Sequence, residues 1–217
     1  MLARERPVVV AVCGCPGAGK TTIASATARR FGLPLLTRDE IKTGLGVSAA
    51  FAVHDGPPLD REFHTAGGLF SVRAETVMVD AARLLAASGV SFIVESSVLS
   101  RKLLDTLLDC DALVLAVHVV AHEAVIDRRL AARAATGGAV DKQLAAQFQL
   151  GEMKRSIFKP PEEVDAVVEV DTSDGTPVIE AVEDAFFALL PPSADSDGLT
   201  ATWLRRRESS TSGVDQQ

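Results

Sequence analysis

Short apolar blocks alternate along the chain with longer segments in which apolar and polar positions follow helical spacing. Strands are predicted at 8–12, 33–36, 90–94, 111–119 and 166–172. The first block, VVVAV, has the character of a strand buried on both faces of a parallel sheet. Helices are predicted at 21–31, from 37 onward, and at 62–88, 101–110, 127–138, 141–158 and 178–190. This alternation indicates an α/β fold with a doubly wound parallel sheet, whose ligand site lies at the carboxyl ends of the strands.

Two segments depart from the alternation. Residues 44–61 carry Gly, Pro and Asp at turn positions, and we predict mostly loop, placed over the acceptor side as a specificity loop. His54 and Asp55 could contact a substrate there, although a solvated pair is the favoured interpretation. Residues 191–217 are rich in Ser and acidic residues and poor in large apolar ones, which predicts a disordered tail beyond a domain at 1–190.

Composition narrows the class of protein. The chain has 217 residues, 47% of them hydrophobic and 24% charged, as expected for one globular domain. Its apolar runs are strand-sized, and the charged N-terminus leaves no room for a signal peptide, so we expect a cytoplasmic protein without a membrane segment. The net charge of −7 argues against bulk electrostatic binding of duplex DNA. Cys13, Cys15 and Cys110 supply neither a disulfide framework nor a set of zinc ligands.

The first strand runs into a phosphate-binding loop. GCPGAGKT fits G-x-x-x-x-G-K-[ST] at every required position, between a predicted strand and a predicted helix. Backbone N–H groups of such a loop surround phosphate oxygens, Lys20 bridges the terminal phosphates, and the Thr21 hydroxyl binds Mg²⁺. We therefore predict binding of ATP with Mg²⁺. The predicted nucleotide-binding residues are Gly14, Cys15, Pro16, Gly17, Ala18, Gly19, Lys20, Thr21 and Thr22.

Cys15 lies inside this loop and near a helix N-terminus. That position could lower the pKa of its thiol and make it open to oxidation, which would block the nucleotide. The favoured alternative is an inert loop residue.

Asp39 follows the second strand, where a helix begins with Thr37 or Asp39 as its cap. As a cap, its carboxylate would only stabilise the helix N-terminus. As an acid at the carboxyl end of a strand beside the phosphate loop, it could instead accept a proton from an attacking hydroxyl.

GCPGAGKTT followed by TRDEIK resembles the small P-loop kinases of the polynucleotide 5′-hydroxyl kinase type, together with chloramphenicol phosphotransferase and the zeta-toxin group. The resemblance makes Arg38 the arginine of the second motif, Asp39 the general base and Glu40 the second acid. Lys42 stands where the polynucleotide kinases have an arginine that holds the acceptor's phosphate. Lysine lacks the bidentate fork of arginine, so a small-molecule acceptor is favoured over a polynucleotide.

The same resemblance implies a three-layer fold with five parallel strands in the order 2-3-1-4-5 and a small helical lid at about 128–141. Glu95, at the end of the third strand, is expected to orient the acceptor or Arg38, with metal binding as a less certain role. Arg129 and Arg133 are four residues apart on a basic segment and match lid arginines that close over the phosphates. A solvated basic helix face is the alternative. Asp171-Thr172-Ser173 resembles the family's loop near the adenine ring.

Together these features predict an ATP-dependent kinase that transfers the γ-phosphoryl group to a hydroxyl of a sugar, antibiotic or nucleoside. The predicted catalytic residues are Lys20, Asp39, Arg129 and Arg133, and the predicted acceptor-binding residues are Arg38, Asp39, Lys42 and Glu95. A polynucleotide 5′-hydroxyl kinase is the first alternative. A nucleotide-gated binding module is the second, but the sequence has neither an Asp-x-x-Gly strand end nor an Asn-Lys-x-Asp motif after strand four.

Overall fold

A computed structural model of the chain describes residues 6–52, 68–137, 139–153, 155–175 and 179–190. Its centre is a sheet of five parallel strands in the order β2-β3-β1-β4-β5, as the sequence predicted. The strands are β1 Val8–Gly14, β2 Leu35–Thr37, β3 Phe92–Glu95, β4 Leu113–Val120 and β5 Ala166–Asp171. Because the strands are parallel, all five carboxyl ends lie at the same edge of the sheet.

Helices cover both faces of the sheet. They are α1 Lys20–Phe31, α2 Arg38–Ala52, α3 Leu69–Ala87, α4 Arg101–Asp109, α5 Glu123–Thr136, α6 Ala139–Gln149 and α7 Glu180–Leu189, with a 3-10 turn at Arg155–Phe158. Alternate residues of β1 point to opposite faces. Val10 packs with residues of α1 and α7 in one core, and Ala11 packs with residues of α3 and α4 in the other. The fold therefore has the three layers that the resemblance implied.

The segment 44–61 differs from its prediction as a loop. Helix α2 continues to Ala52, and the rest of the segment, with His54 and Asp55, lies outside the described residues. Each interior glycine costs a helix about 1 kcal/mol, but the stretch from 38 to 52 has no proline and several strong helix formers. The prediction gave the two glycines, Gly44 and Gly46, too much weight.

Three smaller predictions also need correction. The helix predicted at 141–158 ends at Gln149, because Gly151 takes a left-handed φ of 70° and the chain resumes as the 3-10 turn. Thr37 does not cap α2 with its side chain, since its buried hydroxyl has no hydrogen-bond partner among the described residues. The helix predicted at 62–88 is described from Leu69. The predicted disordered tail at 191–217 lies outside the described residues.

None of the described helices combines the length and the apolar character that a membrane crossing requires.

Candidate active site

The phosphate-binding loop links the end of β1 to the start of α1, and its entry lies between the ends of two neighbouring strands. The Gly14 N–H donates to the Ser97 carbonyl after β3, at 3.3 Å. On the other side, a Cβ added to Gly14 would lie 2.2 Å from the Val119 carbonyl oxygen of β4. Gly14 also has a φ of +141°, so only glycine fits this position without displacing backbone.

The start of α1 presents backbone donors to the edge of the sheet. Gly19 precedes the helix with a left-handed φ of 98°, and no side chain caps the helix there. The first N–H groups of a helix have no partner within it, and the helix dipole makes them attractive to an anion. The loop and the start of α1 therefore have the backbone geometry that a phosphate cradle requires.

Lys20 is folded back over the loop, with its Nζ donating to the Cys15 carbonyl at 3.2 Å. Its side chain is buried, and that burial lowers the pKa of Lys20. The carboxylates of Glu95 and Asp39 oppose this shift in pKa because they favour the charged ammonium. The lysine is thus close to both acids that the sequence singled out.

The predicted catalytic and acceptor-binding residues line one cleft, whose volume is about 1140 Å³. They are Lys20, Arg38, Asp39, Lys42, Glu95, Arg129 and Arg133. Five residues of the loop and the first turn of α1 also line this cleft, namely Pro16, Gly17, Gly19, Thr21 and Thr22. The other three loop residues, Gly14, Cys15 and Ala18, are buried and do not line it. Asp39, exposed on the first turn of α2, therefore faces the same space as the phosphate cradle.

Glu95 forms the buried acidic wall of the cleft at the end of β3. Only 4% of the residue is exposed, and burial raises the pKa of Glu95 above its usual range. The charge of Lys20 and a hydrogen bond with the Thr21 side chain oppose this rise in pKa. The Glu95 carboxylate and the Thr21 hydroxyl are thus neighbouring oxygen groups at the foot of the cradle.

These oxygens suit Mg²⁺, which takes oxygen ligands and binds through one or two protein groups together with substrate phosphates. Within the described ranges, no group of three or more His, Cys, Asp or Glu side chains could hold a metal by itself. Thr21 and Glu95 therefore fit a magnesium ion that arrives with a nucleotide rather than one that the protein holds alone.

Arg38 is held by contacts with α3 that no sequence motif indicates. Its Nε lies 3.1 Å from Glu75 Oε2 of α3, and its Nη2 donates to the Ser71 carbonyl at 3.3 Å. Glu75 also accepts a hydrogen bond from the Ser100 hydroxyl, the side-chain cap of α4. Glu75 lies on the face of α3 that carries the buried Ser71 and Val79, and no motif links it to Arg38 in the sequence. Burial lowers the pKa of the nearby Lys42, and Asp39 opposes that shift.

The two predicted lid arginines both reach the cleft but have different partners. Arg129 donates to the Gly17 carbonyl at 3.2 Å and to the Thr172 hydroxyl and carbonyl at 2.9 and 2.7 Å. Arg133 pairs with Asp141 of α6 at 2.8 Å, and its positive charge contributes to the lowered pKa of Lys20. Nothing in the sequence marks Asp141 as a partner of Arg133. Thr172 stands out in the sequence only as part of the segment 171–173 that resembles an adenine loop.

The thiol of Cys15 is buried in the loop and lies 3.3 Å from the Met153 sulfur. Burial raises the pKa of Cys15, and the charges of Lys20 and Arg155 only partly oppose that effect. The alternative of a lowered thiol pKa is therefore wrong, because desolvation outweighs the nearby positive charges. Burial likewise raises the pKa of Cys13 to about 12.

Comparisons with known proteins agree with this architecture. A protein of Chloroflexus aurantiacus j-10-fl has a similar structure, with a TM-score of 0.67 and 20% identity over 86% of this chain and 100% of that chain. A sugar kinase from Janibacter sp. HTCC2649 matches with a TM-score of 0.50 and 23% identity, over 83% of this chain and 93% of that chain. The Mycobacterium tuberculosis APS kinase, solved with AMPPNP and APS, matches with a TM-score of 0.51 and 18% identity, over 83% of this chain and 96% of that chain.

At these identities the likeness establishes the fold alone, a five-stranded parallel sheet with helices on both faces. The sequence has no significant match among curated proteins. The AAA_33 family, described as an AAA domain, matches residues 9–160, which include the phosphate loop, Asp39, Glu95 and both lid arginines. Because this match spans more than half of the 217 residues, the chain belongs to the AAA_33 family.

Proposed function

We propose that this protein is an ATP-dependent kinase that transfers the γ-phosphoryl group to a hydroxyl of a small molecule. The observation that carries the proposal is that Lys20 and Asp39 line the same cleft. The cleft therefore has the ammonium of the phosphate-loop lysine and an exposed carboxylate among its walls. A phosphate loop alone would fit a binding module equally well. A carboxylate facing that loop is what a hydroxyl acceptor needs in addition.

In this proposal the chain's own groups bind and polarise the triphosphate. The N–H groups at the start of α1 bind phosphate oxygens, and the Lys20 ammonium exchanges its contact with the Cys15 carbonyl for the terminal phosphates. Thr21 and Glu95 would hold the Mg²⁺ that neutralises phosphate charge when bound. Arg133 leaves Asp141 and places its guanidinium over the phosphoryl group.

Asp39 is the proposed general base. The acceptor hydroxyl gives its proton to the Asp39 carboxylate while its oxygen forms a bond to the γ-phosphorus. The bond from that phosphorus to the β,γ-bridging oxygen breaks, and ADP leaves. Catalysis of this kind depends on positioning and charge, which the cleft supplies from both sides.

A small acceptor is favoured over a polynucleotide by the charges on the acceptor side. Arg38 is paired with Glu75, so much of its charge is already compensated, and Lys42 lacks the arginine fork. The net charge of −7 also opposes a polyanionic substrate. Two of the proteins that share the fold are described as kinases of small molecules, a sugar and APS. A polynucleotide 5′-hydroxyl kinase is the second candidate, because TRDEIK resembles that group's second motif.

The test is a screen of phosphoryl transfer from labelled ATP to nucleosides, oligonucleotides, sugars, aminoglycosides and nucleotide sugars. Transfer to a small molecule that Lys20→Met abolishes and Lys102→Met leaves intact would support the proposal. Lys102 is the matched control because it is an exposed lysine on α4 that does not line the cleft. Transfer confined to oligonucleotides would favour the second candidate. Tight ATP binding with no transfer to any acceptor would favour the binding module.

A further inference from the structure

The phosphate loop is held by a residue that directly follows another strand, β5. Thr172 follows β5 directly, and only 6% of it is exposed. Its hydroxyl lies 2.6 Å from the Ala18 carbonyl and 3.4 Å from the Val120 carbonyl, so its single hydrogen is donated to Ala18. The same oxygen accepts from Arg129 Nη1 at 2.9 Å. The hydroxyl is thus bound on both its donor and its acceptor side.

Arg129 extends this contact to a second loop residue. Besides the Thr172 hydroxyl, it donates to the Thr172 carbonyl at 2.7 Å and to the Gly17 carbonyl at 3.2 Å. Two consecutive carbonyls of the loop, those of Gly17 and Ala18, are therefore fixed by side chains from α5 and the end of β5. We refer to Thr172 and Arg129 together as the loop bridge.

Fixing these carbonyls also orients the loop's N–H groups. In a trans peptide the C=O and the following N–H point in opposite directions. Because the Ala18 carbonyl points at Thr172, the Gly19 N–H on the other side of that peptide points away from Thr172. The Ala18 N–H closes a turn within the loop by donating to the Cys15 carbonyl at 3.1 Å. The orientation of the peptide between Ala18 and Gly19 is thus fixed by the protein's own contacts.

We propose that Thr172 and Arg129 are positioning residues that hold the phosphate loop in its binding conformation, and that the two cleft arginines have separate roles. Arg129 donates hydrogen bonds that hold the loop backbone, whereas Arg133 supplies positive charge to the phosphates. The inference rests on the proposed function, since it needs a phosphate ligand in the cradle. It deepens that function by assigning a residue of the β5 end to phosphate binding rather than to recognition of the base.

The test measures binding of ATP and of inorganic tripolyphosphate, which has no base, to four variants. Thr172→Val is nearly isosteric but removes the hydroxyl, and we expect both ligands to bind about tenfold more weakly, as loss of one such hydrogen bond implies. Thr172→Ser keeps the hydroxyl and is expected to bind both ligands within about twofold of wild type. Arg129→Met should weaken both by about tenfold or more, while Arg128→Met, an exposed neighbour on α5, should change them less than about threefold.

Each result decides between distinct failures. If wild-type protein binds neither ATP nor tripolyphosphate, the proposed function fails and the inference with it. If wild type binds ATP and Thr172→Val binds it equally well, the inference is overturned and the proposed function stands. If Thr172→Val loses affinity for ATP but not for tripolyphosphate, Thr172 recognises the base and the inference is also overturned. Thermal unfolding checks that each variant is folded, and if Thr172→Val is not, the comparison of Arg129→Met with Arg128→Met decides by the same criteria.

Discussion

Adding one methyl group at two different glycines should change the stability of this protein in opposite directions. Gly14 begins the phosphate loop, has a φ of +141°, and has no room for a Cβ because the Val119 carbonyl oxygen would lie 2.2 Å away. Gly44 lies in the interior of α2, with no positive φ and nothing within 4 Å of an added Cβ. Gly14→Ala and Gly44→Ala therefore make the same chemical change in opposite surroundings.

The expected magnitudes follow from these surroundings. At Gly14, a backbone conformation disfavoured for alanine costs about 1–3 kcal/mol, and forcing β4 away from the loop adds about 1–3 kcal/mol. The sum, about 2–6 kcal/mol, is a large part of the 5–15 kcal/mol or so that stabilises a typical domain. At Gly44, alanine reduces the entropy of the unfolded chain and favours the helix, which adds about 0.4–1 kcal/mol of stability.

Urea denaturation followed by circular dichroism measures both changes, with ATP affinity determined on the same samples. We expect Gly14→Ala to unfold at a clearly lower urea concentration and to lose ATP affinity. Gly44→Ala should unfold at a higher urea concentration, with a melting temperature raised by roughly 1–4 °C. Wild-type stability of Gly14→Ala would refute the close approach of β4 to the loop. A destabilised Gly44→Ala would refute the continuation of α2 through this position.

Two further predictions concern buried ionisable groups. Iodoacetamide at pH 8 should label the partly exposed Cys110 first and Cys13 and Cys15 much more slowly, because burial raises the pKa of both the Cys13 and the Cys15 thiol. Fast labelling of Cys15 would contradict this prediction. Burial also raises the pKa of Glu95 above its usual 4.5. At a pH between 4.5 and this raised native pKa, the native protein therefore binds more protons than the unfolded chain. The free energy of unfolding of wild type, compared with that of Glu95→Gln, should therefore increase as the pH falls through the native pKa toward 4.5 and decrease as the pH rises. A difference that does not depend on pH would contradict the raised pKa of Glu95.

Features that depend on local pattern were predictable from the sequence. The phosphate-loop motif has fixed spacing, and the structure has the predicted strand before it and the predicted helix after it. Gly32 ends α1 in a left-handed conformation, as its position after Phe31 indicated. The strand order came with the resemblance to the small P-loop kinases. Local propensity was misleading at Gly44 and Gly46, because the helix around them tolerates their cost.

Contacts between distant parts of the chain could not be predicted. Thr172 and Ala18 are 154 residues apart, and only the assembled sheet brings the end of β5 to the phosphate loop. Glu75 pairs with Arg38 only because the fold puts α3 beside α2, and no local pattern links the two residues. The sequence motifs thus indicate Lys20 and Asp39, whereas the partners Glu75 and Thr172 are defined only by the tertiary structure.

The central claim is that the cleft holds a triphosphate on one side and the general base Asp39 on the other. Asp39→Asn tests it most directly when ATP affinity and phosphoryl transfer are measured on the same preparation, with Asp109→Asn, an exposed carboxylate at the end of α4, as the control. We predict ATP affinity within about twofold of wild type and a loss of transfer of about 10²–10⁴-fold, the usual contribution of general base catalysis. Undiminished transfer by Asp39→Asn would contradict the account.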